Sequence, residues 1–224
     1  MRAFYSGRYL RWFCILLFPV NGYTRADGEY LDMISFHTPS SSGFRTIDIF
    51  DTGFVGAKIT MSSNSPYLNL NNLRFSVNQT WLKIENHTEG RVTIKMVRQP
   101  SYNERYVTMT IENIKNGELN HRQFRLDNWL TGDGATGDSL ASARERCHRH
   151  GGRLLNKREF KNIAYNWFGI SHGTVKERYP ASYVFNESSL LSGGFWVKEG
   201  KALHLHTAQK YDGARITTLC RYEY

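Results

Sequence analysis

The sequence predicts a β-rich protein of two domains, an antiparallel β-sandwich followed by a smaller α+β module. Two observations carry that expectation. Apolar residues recur at every second position from about residue 47 to residue 126, and at helical spacing after Trp129. Period two belongs to half-buried strands and period 3.6 to amphipathic helices. In addition, Gly, Asn, Ser and Pro bound most of the alternating runs, as turns between short antiparallel strands require.

The chain of 224 residues opens with Arg2, Arg8 and Arg11 ahead of the apolar run Trp12–Val20, and Thr24-Arg25-Ala26 follows. A basic stretch, a short apolar stretch and small residues two apart make a secretory leader, residues 1–26, cleaved after Ala26. The run is too short for a transmembrane helix of about 20 residues, so no transmembrane anchor is expected. Cys14 lies inside the apolar run rather than just after it, which argues against a lipidated cysteine. Removing the leader leaves Cys147 and Cys220 in a chain bound for an oxidising compartment, and a single bridge between them is the natural expectation. Such a bridge stabilises by roughly 4 kcal/mol in the chain-entropy account.

Residues 27–128 form the first expected domain. Ile47 and Ile49; Ala57, Ile59 and Met61; Leu73, Phe75 and Val77; Val92, Ile94 and Met96; Val107, Met109 and Ile111; and Phe124 and Leu126 all alternate. Asp51-Thr52-Gly53, Ser62–Pro66, Glu89-Gly90 and Gln99-Pro100-Ser101 read as the turns between them. There is no Cys…Trp…Cys pattern, which excludes an antibody-type core.

Residues 129–224 form the second. Asp138 or Ser139 can cap a helix in which Leu140, Ala143 and Cys147 share one stripe, and Gly151-Gly152 ends it. Asn156 and Glu159 have capping-box spacing ahead of Phe160, Ile163, Ala164 and Trp167. Short strand candidates follow at Tyr183–Phe185, Phe195–Val197, Leu203–Leu205 and Ile216–Tyr222. The junction Phe124-Arg125-Leu126-Asp127-Asn128-Trp129-Leu130 passes from strand into the next module without a linker, so the two are expected to pack rigidly.

These residues resemble the C-terminal end of the intimin/invasin family. The resemblance rests on the junction Phe124–Leu130, on Ser142–Leu154 with its Cys147 and Gly151-Gly152, on Gly53-Phe54-Val55-Gly56-Ala57, on Phe195-Trp196 and on Cys220-Arg221-Tyr222, and it covers residues 46–224. It implies that the first domain is immunoglobulin-like and the second C-type-lectin-like. The short chain is most similar to the small exoproteins of Zir-type systems, which implies a separate invasin-like outer-membrane translocator. It further implies an adhesin-like exoprotein that binds a protein receptor, on a host or bacterial surface, through the lectin-like domain and without calcium. Trp196-Val197-Lys198 stands where a calcium-binding lectin has a Trp-Asn-Asp-like segment, and Tyr179-Pro180-Ala181 holds the only Pro of that half. The expected contact surface is the late loop region, with Trp196, Lys198, Tyr211, Asp212 and Arg215 as candidate contacts.

Net charge is +9, carried unevenly. Residues 1–26 have four Arg and no acid, residues 27–128 have 11 basic and 11 acidic side chains, and residues 129–224 have 14 against 9. Arg144, Arg146, Arg149, Arg153, Lys157, Arg158 and Lys161 face only Glu145 and Glu159 in sequence. Such a run suits an acidic glycan or lipopolysaccharide phosphate, so calcium-independent glycan binding by this basic face is the alternative to a protein receptor. Nucleic acid is set aside because the chain is exported.

No catalytic chemistry is legible. Gly-x-Ser-x-Gly and His-Glu-x-x-His are absent, and no thiol is free once the bridge forms, so the chain is not expected to be an enzyme or to hold a cofactor. Gly132-x-Gly134-x-x-Gly137 matches a dinucleotide fingerprint by letter but follows no βαβ strand. His148, His150, His204 and His206 bring no acidic or Cys ligand with them, so no metal site is expected. Asn78, Asn86 and Asn186 head glycosylation sequons that a bacterium does not use.

Intact mass of protein recovered from culture medium should therefore begin at Asp27, and the protein should gain two alkyl groups only after reduction. Full-length protein with alkylatable thiols before reduction would remove both the leader and the bridge.

Overall fold

The computed structural model describes residues 34–38, 51–63, 65–86, 90–132, 139–168, 194–204, 208–213 and 216–224. The expected leader, Ile47 and Ile49, and the strand candidate Tyr183–Phe185 lie outside them. The first half contributes β1 (Ile34–His37), β2 (Thr52–Gly53), β3 (Lys58–Ser63), β4 (Leu73–Val77), β5 (Leu82–Asn86), β6 (Val92–Met96), β7 (Tyr106–Asn113) and β8 (Leu119–Arg125).

Seven of these strands build two antiparallel sheets, β1-β3-β6-β5 and β4-β7-β8. With the strands lettered in chain order and β2 left aside, the sheets read A-B-E-D and C-F-G, the strand order of a constant-type immunoglobulin sandwich. The alternating residues do what their period requires. Ile59, Met61, Ile94, Met96, Val107, Met109 and Ile111 are all buried in one core with Trp81. The Trp81 indole donates to the Glu104 carbonyl at 2.9 Å, so its one polar atom is satisfied. Two strands escaped the sequence reading, β1 and β5. Both are sheet edges with only two apolar residues each, Ile34 and Phe36 or Leu82 and Ile84, too few to stand out as a period.

Asp51-Thr52-Gly53 is a correction: instead of a turn, Thr52 and Gly53 form a two-residue strand. β2 pairs in parallel with β9 (Asn128–Thr131), the first strand of the second half. The second half continues with α1 (Leu140–Arg149), β10 (Arg153–Leu154), α2 (Lys157–Ile163), β11 (Gly194–Trp196), β12 (Ala202–His204), β13 (Ile216–Thr217) and β14 (Cys220–Glu223). They complete a four-stranded sheet, β10-β14-β9-β2, and a three-stranded one, β12-β11-β13.

Helix α1 starts where its cap predicts, with the Ser139 hydroxyl accepting from the Ser142 amide at 3.1 Å. Its stripe of Ala143 and Cys147 is buried with Leu154 and Cys220, and the half-buried Leu140 packs on that cluster. Gly151, at φ 77°, follows the helix in the left-handed conformation that glycine adopts without strain. Helix α2 carries the full capping box, Asn156 Oδ1 taking the Glu159 amide at 2.9 Å and the Glu159 carboxylate taking the Asn156 amide at 2.8 Å. It runs on into a π turn, Ala164–Phe168, and buries Phe160, Ile163, Ala164 and Trp167. Cys147 and Cys220 are bonded, with Cα atoms 5.3 Å apart, so α1 is tied covalently to β14.

The two halves share a continuous apolar core. Trp129 is 1% exposed and meets Trp81 edge-on, ring centroids 6.3 Å apart. Phe54 meets Trp167 in the same way at 5.2 Å, and the Thr38 hydroxyl donates to the Asn166 carbonyl at 2.6 Å. Arg105, 7% exposed, lies against the rings of Tyr102 and Tyr106 and donates to the Tyr224 carbonyl at 3.2 Å. The Tyr224 hydroxyl in turn donates to the Pro100 carbonyl at 2.8 Å.

Gly53 sits at the closest approach of these elements. A Cβ there would lie 2.6 Å from Met96 Sδ, 2.9 Å from Trp129 Cζ3 and 3.1 Å from Leu126 Cδ1. Met96 and Trp129 are both enclosed in the core, so neither has open space to move into. Gly53→Ala should therefore cost about 1–3 kcal/mol of stability in urea unfolding. An unchanged midpoint would mean that Trp129 is free to move, contrary to the packing described.

Candidate binding surface

The basic run of the second half is divided by the fold among several environments. Arg153, on β10, spends its guanidinium on carboxylates. It grips Glu159 in bidentate fashion at 2.8 and 2.7 Å and also donates to Glu223. Arg221 on β14 reaches the same Glu159 at 2.6 Å and holds the Asn128 side chain at 2.8 Å. The Arg153 hydrogen bonds, helped by the Asn156 amide and the charge of Arg221, hold the Glu159 carboxyl below its ordinary range against the opposing effect of burial. This tetrad welds α2 to two strands, so Arg153 has a structural task.

Arg146 and His150 turn toward a small cavity of about 170 Å³ beside the disulfide, lined also by Thr131, Thr218 and Tyr222. Arg149 lies 3.9 Å from Glu145 on the exposed side of α1. Lys157, Arg158 and Lys161 are exposed on α2, and the Lys157 amide is capped by the Glu199 carboxylate at 3.1 Å.

Arg144 belongs elsewhere. With Ala141, Glu145 and His148 it forms a second stripe on α1, flanking the buried one, at the i, i+3, i+4, i+7 spacing. The stripe faces Gly152, Arg153, Leu154 and Lys198 across a cleft of about 580 Å³. The Arg144 guanidinium donates to the Lys198 carbonyl at 2.9 Å, which fixes it at the cleft wall. His148 and Lys198 were not paired with Arg144 by the sequence reading. The helical spacing of 141, 144, 145 and 148 was visible, but the β11–β12 turn that completes the cleft was not.

The late-loop candidates are likewise separated. Trp196 is half-buried and packs on the Ala143, Cys147, Leu154 and Cys220 cluster. Lys198 is exposed at the cleft. Tyr211 is held firmly: its amide donates to the Ala202 carbonyl at 2.9 Å, and its ring lies directly over two glycines. A Cβ on Gly194 would fall 2.4 Å from Tyr211 Cδ1, and one on Gly213 2.4 Å from its hydroxyl oxygen. Beside it Asp212 pairs with Lys210 at 2.7 Å, the two side chains 73% and 67% exposed. Arg215 and His206 lie outside the described residues. Among the described residues no group of three or more His, Cys, Asp or Glu could hold a metal ion, and no helix is long and apolar enough to cross a membrane.

Sheet order and core define a β-rich, multi-domain architecture with an immunoglobulin-like first half. Among solved structures, the chain is similar to invasin, a bacterial integrin-binding protein, at 16% sequence identity and a TM-score of 0.57. The match covers 85% of this chain and 39% of that one, so this chain spans well under half of invasin's length. No protein-family model matches the sequence, and no curated protein matches it. The chain has an invasin-like fold.

The carboxylate at the centre of the tetrad gives a pH test. A carboxyl held low in the folded state stabilises above its unfolded value, and that stability is lost as pH falls through the folded value. Glu159→Gln should cost about 1–3 kcal/mol at pH 7. The gap between variant and wild type in urea unfolding should then close as the pH drops below ~4. A gap that is constant with pH would place the effect outside the tetrad's charge.

Proposed function

We propose that this chain is an exported, adhesin-like binding protein, with no enzymatic activity, that engages a protein partner through residues 129–224. In this reading residues 27–128 are an immunoglobulin-like stalk and residues 129–224 a C-type-lectin-like tip. The leader directs export to the cell surface or medium, and an invasin-like outer-membrane protein serves as translocator.

The observation that carries the reading is the mounting of Tyr211. Aromatic side chains that anchor protein interfaces contribute most when they are rigid before the partner arrives, because little rotamer freedom is then lost. A half-buried tyrosine seated on two glycines, next to the exposed Lys210–Asp212 pair, has that character. The invasin-like fold adds support, since invasin is itself a receptor-binding protein.

Labelled full-length protein applied to cultured animal cells should bind them, and protease treatment of the cells should abolish binding. Tyr211→Ala should weaken it by about tenfold or more, with little change between low and moderate salt. Binding that survives both the protease and Tyr211→Ala would refute a protein partner at this surface.

A further inference from the structure

We infer that the cleft between α1 and the β11–β12 turn is a binding site for an acidic saccharide, a sugar unit bearing a sulfate or phosphate group. This stands apart from the protein-partner reading, although Lys198 belongs to both. Among the residues that line the cleft, Arg144, His148 and Lys198 have no carboxylate partner in the described structure, whereas Arg153 is consumed by Glu159 and Glu223. Arg144 is pinned by the Lys198 carbonyl, which leaves its remaining N–H groups beside the cleft while the Lys198 ammonium is free to swing in. A planar guanidinium and a mobile ammonium around one cavity suit a tetrahedral oxyanion, which each binds by charge-assisted hydrogen bonds.

Size and lining narrow the ligand. About 580 Å³ lies within the range of small-molecule sites and is far larger than a lone phosphate or sulfate needs. Among the described lining residues there is no Phe, Tyr or Trp, the broad rings on which nucleobases stack best. The walls offer Glu145 and His148 for hydroxyl groups, the bare backbone of Gly152, and short apolar contacts from Ala141 and Leu154. Hydroxyl-rich rings with one acidic substituent fit that inventory. Lys157, Arg158 and Lys161, on the other helix, do not line the cleft.

The test is titration calorimetry of the full chain with a sulfated disaccharide, a phosphorylated disaccharide, the unmodified disaccharide and a triglutamate peptide. One or both anionic sugars should bind, and the tighter of the two identifies the source of the oxyanion. The combined variant Arg144→Ala with Lys198→Ala should weaken that binding by about tenfold or more. Lys198→Ala alone, on an exposed side chain whose loss leaves the fold intact, should weaken it by a smaller factor. Arg158→Ala with Lys161→Ala should leave it unchanged, as should Tyr211→Ala, which separates this site from the protein-binding surface. The inference fails if neither anionic sugar binds, or if the unmodified sugar or triglutamate binds as tightly. It fails too if the Arg158 and Lys161 variant weakens binding as much as the cleft variant, since the attraction would then be diffuse charge.

Discussion

Among the described residues, the two halves of the chain meet at one short strand. β9 is only four residues long, yet it takes β2 from the first half on one edge and β14 from the end of the chain on the other. Its backbone groups are thereby satisfied on both sides, which a buried strand demands. Trp129 projects from it into the core and meets Trp81 of the immunoglobulin-like sandwich. Gly53 is bare because that ring needs the space. The second half is positioned from the same strand, since β14 carries Cys220 to α1 and Arg221 to Glu159, and α1 in turn forms one wall of the cleft.

Charge in the second half takes its meaning from place rather than from number. Seven basic residues between 144 and 161 look alike in sequence, but the fold gives them unlike tasks. Arg153 is neutralised inside a tetrad that fastens secondary-structure elements, and Arg149 sits loosely against a helical neighbour. Arg144 is held by a backbone carbonyl and remains available to an anion. Surface ion pairs contribute little by themselves. The tetrad differs because Glu159 is 18% exposed and shared by two arginines.

The sandwich was legible because its inner strands repeat their signal three times each: Val92, Ile94 and Met96, or Val107, Met109 and Ile111. The edge strands β1 and β5 repeat it only twice and passed unseen, and β2 read as a turn because Asp-Thr-Gly is turn chemistry unless a distant strand claims it. Both helices were legible from their caps, Ser139 and the Asn156–Glu159 pair, and from the stripes ending at Cys147 and Trp167. The candidate surfaces were much less so. Tyr211 appeared as an exposed ring in a loop, because its seat is made by Gly194 and Gly213, which are remote or uninformative in sequence. The cleft needed Lys198 brought beside Arg144, 54 positions away, by a turn whose Lys-Glu-Gly-Lys sequence does not point to that partner.

The Cys147–Cys220 bond also has a mechanical side. It spans 73 positions, so when the two chain ends are pulled apart, the segment between them is bypassed by a covalent shortcut. At roughly 3.5 Å per residue, about 250 Å of contour length stays hidden until the bond is reduced. A load applied between the ends can strip strands from the sheets, yet the late loops, Tyr211 among them, stay leashed to the first helix. Oxidised and reduced molecules would thus give way over very different distances under the same force.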